Sequence, residues 1–194
     1  MNKTAVGLAL VGLLLWSGPG VCENWTGNLN TFTGYKNQTD SFFKDAEVDD
    51  HFEFGLMLDF KQEDWPVSIA IDYFRSASGE QFFVLPLTLF GIELDSRTQE
   101  WNVGVRKIWS RTGQGRTFLG GGVAIIRNEI NLTGASDDDD TGTGFWVDTG
   151  AYATLAEHVN LGIDIRYSYA EVDLLGEKPN AGGYHIGLIL GVHW

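Results

Sequence analysis

Apolar and polar residues alternate strictly along the last eleven residues of the chain. Between the bulky positions the residues are small, polar or ionisable, with Ile189 as the exception. Successive side chains of a β-strand point to opposite faces, so this period of two predicts a strand with one apolar face. The bulky positions are Tyr184, Ile186, Leu188, Leu190, Val192 and Trp194.

The same alternation recurs along most of the chain and predicts eight strands. In residues 51–61, the clearest case, Phe52, Phe54, Leu56, Leu58 and Phe60 lie on one face, and Glu53, Gly55, Met57, Asp59 and Lys61 lie on the other. The predicted strands are 25–35, 51–61, 66–75, 98–109, 116–127, 145–155, 158–172 and 184–194.

The connections between these strands alternate in length. Residues 36–50, 76–97 and 128–144 form long connections and 173–183 a moderate one, whereas 62–65, 110–115 and 156–157 are short. An even number of strands with the longer connections at one end is typical of an up-and-down barrel in a membrane. We therefore predict an all-β fold, an eight-stranded antiparallel up-and-down transmembrane β-barrel whose apolar face contacts lipid. The alternative is a soluble secreted β-sandwich, whose apolar face would be inside.

The N-terminus has the features of a secretory signal. Lys3 precedes an apolar stretch, residues 5–16, and residues 17–20 then break the pattern. The stretch is too short for a spanning helix. We predict a signal peptide at 1–22 and a barrel domain at 23–194, with cleavage after Gly20 or Cys22. Lipidation of Cys22 is the alternative, although the preceding residues fit a lipidation motif poorly.

Composition narrows the class further. Cys22 is the only cysteine, which excludes a disulfide framework and cysteine-based zinc sites in the mature chain. The formal net charge is −13, so phosphate backbones would be repelled and nucleic acid is not an expected partner.

Several segments together resemble the small outer-membrane β-barrel proteins of Gram-negative bacteria, the OmpA/OmpX-like eight-stranded group. They are the signal peptide, the alternating strands, residues 101–107 (WNVGVRK), residues 118–123 (FLGGGV) and the aromatic C-terminus. The resemblance covers nearly all of the mature chain and implies location in the Gram-negative bacterial outer membrane. It also implies partners: outer-membrane lipids and lipopolysaccharide, and the barrel-assembly machinery through the C-terminal strand. It carries over no catalytic residues, because fold alone does not give function.

The interior of an eight-stranded barrel is just wide enough for side chains to fill it. Unpaired buried charge is costly, so inward carboxylates and guanidiniums are expected to pair, with Arg106 and Arg166 as hubs. Inward glycines would either leave room for water or accommodate Phe74, Trp146 and Tyr152. Every second residue of a strand points inward, and we call this alternation parity. By parity, the predicted lumen charge network is Glu53, Asp59, Asp72, Arg106, Asp148, Asp164, Arg166 and His185.

A lipid A-modifying hydrolase or acyltransferase is the enzymatic alternative. Ser168 and His185 would be its nucleophile and base, oriented by Asp148 or Asp164. A hairpin closing around residues 176–177 would place Ser168 opposite His185. Any serine and histidine on adjacent strands can meet by chance, so we do not predict an enzyme, and no catalytic residue is assigned.

Two predicted outer loops have unusual composition. Asp137, Asp138, Asp139 and Asp140 place four carboxylates together, a possible site for Ca²⁺ or Mg²⁺, although the spacing is not that of an EF-hand and a solvated loop is the simpler interpretation. Residues 82–94 are too apolar for free exposure and would cap the barrel or receive an apolar ligand.

The sequence thus favours a monomeric, non-enzymatic outer-membrane barrel with acidic extracellular loops and a structural or surface-interaction role. The alternative is a channel or receptor for small hydrophobic solutes. Neither interpretation implies a cofactor.

Overall fold

A computed structural model describes residues 24–45, 49–77, 95–110, 113–131, 138–174 and 176–194. The predicted signal peptide, the apolar segment 82–94 and Asp137 lie outside these residues.

Eight strands form a closed barrel in which each strand pairs with its neighbours in the sequence and β8 pairs with β1. All pairings are antiparallel. The predicted fold class is confirmed. A single helical turn, α1 (Ser41–Asp45), lies between β1 and β2. The strands are β1 (Trp25–Asn37), β2 (Asp50–Gln62), β3 (Ser68–Ala77), β4 (Asp95–Ser110), β5 (Gly115–Asn131), β6 (Asp138–Leu155), β7 (Val159–Tyr169) and β8 (Gly183–His193).

The outer surface of the barrel is apolar and the interior is polar, the reverse of a soluble protein. Leu56, Val103, Ile163 and Leu188 are between 44% and 58% exposed, whereas Asp72, Asp164 and Arg166 are 1% exposed or less. An apolar outer band with an alternating polar interior is the pattern of a barrel in lipid. Among the described residues, no helix is long and apolar enough to cross a membrane.

Aromatic side chains flank the apolar band. At the end where β1 begins and β8 ends, here called the proximal end, Trp25 packs against Trp65 with ring centroids 5.5 Å apart. At the opposite, distal end, Tyr73 packs on Trp101 at 4.7 Å and Tyr167 on Tyr184 at 5.0 Å. Aromatic rings at both edges are typical of the two membrane–water interfaces.

Strands β5 and β6 extend further than the sequence pattern predicted. They pair from Gly115↔Ala153 to Ile130↔Asp138, so the expected loop 128–144 is mostly strand and only 132–137 connect the two. The prediction failed because the added residues have no apolar face. Thr141 and Thr143 still point outward, and Gly142 is buried, so the period of two persists in polar residues.

Large side chains fill the barrel interior. One cluster consists of Phe32, Met57, Phe74, Phe118, Tyr152 and Ile189, and a second, towards the distal end, includes Phe43, Trp146, Val172 and Leu174. Inward glycines lie against these rings. A Cβ at Gly55 would meet Phe74, one at Gly150 would meet Phe118, and one at Gly187 would meet Phe32. The glycines therefore make room for aromatic rings, one of the two roles considered for them.

Candidate functional site: the charged interior of the barrel

Two arginines share two carboxylates in the middle of the barrel. Nη2 of Arg106 and Nη2 of Arg166 each lie 2.7 Å from Oδ2 of Asp72. Nε of Arg106 and Nη2 of Arg166 both donate to Oδ2 of Asp148 at 3.1 Å. Strands β3, β4, β6 and β7 each supply one member, so the cluster links strands on different sides of the barrel.

Aromatic rings enclose this cluster. The Cζ of Arg166 lies 4.3 Å from the ring centroid of Phe74 and 4.8 Å from that of Trp146. Arg106 lies 5.4 Å from the Phe118 ring and 5.7 Å from Trp146. Guanidinium groups at these distances interact favourably with the ring faces, especially away from water. The ion cluster and the aromatic filling are thus one packed unit.

Asp59 and Asp164 lie at the edge of the cluster. Asp59 accepts a hydrogen bond from Nδ2 of Asn28 at 2.7 Å, and its other oxygen is 3.6 Å from Nη1 of Arg106. Oδ1 of Asp164 is 3.8 Å from Nε of Arg166, which is too far for a hydrogen bond. Asp164 is therefore near the arginines without being bound to them.

A second polar chain lies nearer the distal end. Nδ1 of His185 is 2.7 Å from Oε2 of Glu53, and Nε2 of His185 is 3.0 Å from Oγ of Ser168. Oγ of Ser168 lies 3.0 Å from Oε2 of Glu100, and this Glu100 oxygen is 3.3 Å from Nζ of Lys36. All five side chains are buried. The eight predicted network residues therefore all point inward, but they divide between two groups.

Lys36 and Glu100 were missing from the predicted network. Lys36 was placed in a loop because the first strand was ended at residue 35, whereas β1 continues to Asn37. Glu100 has the inward parity of Asn102 and lies in a strand whose inward set was counted only from residue 102 onward. Parity applied to the whole length of each strand would have found both.

Ser168, His185 and Glu53 have the distances of a catalytic triad, but their hydrogen bonds differ from one. A serine nucleophile must donate its single O–H to the histidine. Here the carboxylate of Glu100 is also 3.0 Å from Oγ, and a carboxylate only accepts. With its O–H donated to the carboxylate of Glu100, Ser168 is a bridge between Glu100 and His185, and that O–H is not available to the histidine.

Two details of the enzymatic alternative are wrong. The β7–β8 hairpin turns between Leu174 and Glu177, so Ser168 pairs with Gly183 and meets His185 diagonally rather than directly opposite. The acid on the histidine is Glu53, because Asp148 is held by the two arginines and Asp164 lies beside Arg166.

Asp138, Asp139 and Asp140 of the acidic run start β6 and do not form a loop. Oδ2 of Asp139 is 2.9 Å from Nη2 of Arg127, and Oδ2 of Asp140 accepts the backbone N–H of Asp173 at 2.7 Å. Neighbouring residues of a strand point to opposite faces, so these carboxylates do not converge. Among the described residues no group of three or more His, Cys, Asp or Glu is placed to hold a metal ion. Cation binding by Asp137, Asp138, Asp139 and Asp140 stays a prediction.

Comparisons with known proteins show the fold. No protein-family model and no curated protein sequence matches the chain. Neisserial surface protein A matches 88% of this chain and 97% of its own, with 16% identity and a TM-score of 0.62. Ail, the attachment invasion locus protein of Yersinia pestis, matches 88% and 99%, with 9% identity and a TM-score of 0.60. A major outer membrane protein from Thermus thermophilus matches 88% and 98%, with 11% identity and a TM-score of 0.52.

These matches span nearly the whole length of each solved structure. Together with the apolar outer band and the polar interior, they show that the chain has the fold of an outer-membrane β-barrel. This agrees with the predicted location in the Gram-negative outer membrane.

Proposed function

We propose that this protein is a non-enzymatic surface protein of the outer membrane, closed to solutes, which binds positively charged partners through its distal end. The observation that carries the proposal is the combination of a filled barrel interior with strands that project beyond the membrane and end in acidic segments.

The filled interior supports a barrel that does not conduct. Around Arg106 and Arg166 the cross-section holds two carboxylates and the rings of Phe74, Phe118 and Trp146. The second polar chain and the distal apolar cluster continue the filling towards the outside. A solute would have to displace several mutually bonded charged groups, each of which is costly to leave unpaired.

Most of the net negative charge of the chain belongs to the segments that connect the strands at the distal end. The outer segments 38–50, 76–97, 127–140 and 171–178 contain 16 acidic and 4 basic residues. Of these acidic residues, Asp50, Asp139, Glu171 and Asp173 are exposed in the structure. A surface of one sign attracts partners of the opposite sign and accelerates their association. The expected partner is therefore a basic protein segment or another polycation.

The same charge argues against one ligand suggested by the likeness in fold. Ail has been determined in complex with the heparin analogue sucrose octasulfate. A sulfated ligand would be repelled by the acidic distal end of this chain, so the shared architecture carries no heparin site with it.

The proposal is tested by one binding and one electrical measurement. The triple variant Asp139→Asn, Glu171→Gln and Asp173→Asn should weaken binding of an oligolysine peptide to the protein in nanodiscs. The matched control is Glu63→Gln, Asp64→Asn and Glu157→Gln, which removes the same charge from exposed positions at the proximal end.

In planar bilayers we expect no steady single-channel conductance. Equal peptide binding by both triple variants would contradict the partner class. A steady conductance would contradict the closed barrel and favour the alternative of a channel for small hydrophobic solutes.

A further inference from the structure

The proximal mouth of the barrel contains a polar cavity that neither the charge network nor the distal surface uses. Its volume is about 210 Å³. Thr26 and Asn28 of β1, Lys61 of β2, Ser110 of β4 and Arg116 of β5 line it, and Tyr152 lies on its wall. The cavity is smaller than the roughly 300–1,000 Å³ of sites for drug-sized ligands and holds much more than one water.

Among the described residues, Lys61 and Arg116 point into this mouth and Lys107 lies at its rim, on the outward face of β4; none of the three has a carboxylate partner. Among the described residues, Lys61, Lys107 and Arg116 have no Asp or Glu oxygen within 4.0 Å. Deeper in the part of the barrel that the structure describes, Lys36, Arg106 and Arg166 are paired with carboxylates.

Neutral groups hold the three cations in place. Nζ of Lys61 donates to the carbonyls of Glu63 and Trp65, both at 3.2 Å, and Nζ of Lys107 donates to the carbonyl of Pro66. Nε of Arg116 donates to Oγ1 of Thr154 at 3.1 Å, and Nη1 donates to Oγ of Ser110 at 3.3 Å. These bonds fix the positions of the charges without neutralising them.

The one carboxylate of the cavity is turned to other groups. Asp59 accepts from Asn28 and faces Arg106 through its second oxygen, deeper in the barrel. Fixed cations beside hydroxyl groups are the donor set that binds phosphate oxygens, and the fork of an arginine suits them in particular.

We propose that the proximal cavity is a binding site for a phosphate group, held by Lys61 and Arg116, with Lys107 adding positive charge at the rim. The cavity opens towards the side of the membrane where the chain enters and leaves the barrel. Two sources present phosphate there: the headgroup of an inner-leaflet phospholipid and a soluble phosphate ester. Both offer the same chemistry to the three cations.

The first test is calorimetric titration of the folded protein, in a non-ionic detergent, with inorganic phosphate. We expect saturable binding to one site. The double variant Lys61→Gln and Arg116→Gln should bind at least about tenfold more weakly, because it removes the two charge-assisted hydrogen-bond donors that hold the phosphate. The matched control, Lys178→Gln and Arg127→Gln, removes the same charges from exposed distal positions and should bind like the unmodified protein.

A second measurement needs no variant. On addition of phosphate, the backbone amide resonances that shift should be those of the proximal mouth, around Thr26, Ser68 and Ser110. Shifts confined to the distal end, absence of saturation at about 10 mM phosphate, or equal binding by both double variants would overturn the proposal.

Two further ligands distinguish a phospholipid headgroup from a soluble phosphate ester as the source of the phosphate. Tighter binding of dihexanoyl phosphatidic acid than of glycerol 3-phosphate supports the site and assigns it to a membrane phospholipid. Equal or weaker binding of the lipid supports the site and assigns it to a soluble ester. Binding of neither would overturn the proposal. None of these outcomes depends on what the distal end binds.

Discussion

Asp148 shows how strongly single residues in the interior depend on one another. Its Oδ2 is shared by Arg106 and Arg166, and both arginines are buried. Removing one partner of a buried ion pair leaves uncompensated charge in a region of low polarity. The consequence of a substitution here therefore depends on the neighbours that remain as much as on the group removed.

We expect Asp148→Ala to lower the free energy of unfolding by about 3–5 kcal/mol, because both arginines keep only Asp72 as a close partner. Asp139→Ala is the control, since the Arg127–Asp139 pair is about half exposed and should contribute under about 1 kcal/mol. Urea unfolding in lipid vesicles measures both. Similar losses for the two variants would show that burial of the central pair adds little.

Asp140 provides a pH-dependent contact outside the membrane. Backbone N–H groups of Asp173 and Thr141 donate to its carboxylate and hold the pKa of Asp140 below its ordinary value of 3.8. A lowered pKa means that the contact stabilises the folded state above pH 3.8 and is lost as the pH falls through the folded-state pKa.

We therefore expect the Asp173 amide to be protected from hydrogen exchange at neutral pH and to lose that protection in strong acid. Asp140→Asn should remove this pH dependence, because its side chain does not titrate. Thr154, whose amide bonds to the carbonyl of Gln114, is an internal reference. If its protection changed in parallel with that of Asp173, general unfolding would be the cause.

Parity along the strands is what made the interior predictable. Once a strand is recognised, its period of two assigns every residue to one side, and all eight predicted network residues do point inward. Parity does not give partners. The division into two groups, and the choice of Glu53 over Asp148 beside His185, depend on the heights of residues on non-adjacent strands, which follow from register and barrel stagger.

At the scale of the elements, the lipid-facing side of β2 can be tested with one charge. Leu56 is 44% exposed in the middle of β2, between Phe54 and Leu58 on the same apolar face. We expect Leu56→Arg to cost about 2–4 kcal/mol, as for other charges at the membrane midplane. Thr143→Arg, outward on the distal part of β6, should cost about 0–1 kcal/mol. Folding yields into vesicles over a urea series would show the difference; equal costs would contradict the predicted position of the membrane.

The seam between β1 and β8 depends on Trp194. Its backbone N–H and C=O bond to Gly27, both at 3.1 Å, and Oγ1 of Thr26 donates to the same carbonyl. The indole lies over Gly27, where a Cβ would collide with it. The residue thus covers the end of the closing strand pair.

We expect Trp194→Ala to lower the temperature at which the folded form is lost on a heat-modifiable gel. Trp109→Ala is the matched control, because its exposure is nearly the same (45% against 46%) but it lies on β4, away from the seam. The closed barrel has no free edge, and weakening its last pairing should open it first. An equal shift for Trp109→Ala would indicate a general effect of losing an interfacial tryptophan.

The strands whose lengths were predicted wrongly are β5 and β6. Apolar alternation ends at residues 125 and 145, where the strands leave the membrane, while the backbone ladder continues to Ile130↔Asp138. Hydrophobic pattern reports contact with lipid and not the length of a strand. Residues such as Thr141 and Gly142 continue the ladder in water without any apolar signal.

At the scale of the whole molecule, most of the net negative charge belongs to the acidic segments at the distal end. We expect the affinity for an oligolysine peptide to fall steeply between low and physiological salt, since exposed charges are screened beyond about 8–10 Å. Surface plasmon resonance at two ionic strengths measures this, with an oligoglutamate peptide as control. Binding that did not change with salt would mean that apolar contacts dominate.

The β5–β6 pair also has a practical consequence. A strand crosses the membrane with roughly 9–11 residues, whereas β5 has 17 and β6 has 18. Past residues 125 and 145, where the apolar face ends, six residues of β5 and seven of β6 remain. At a rise of about 3.4 Å per residue and a tilt of about 35–45°, they carry their connection roughly 15–20 Å past the lipid. Polysaccharide on a bacterial surface excludes bulky macromolecules from the bilayer but not from a stalk of that height. Residues 132–137 are therefore a natural place to graft a foreign epitope for display on living cells.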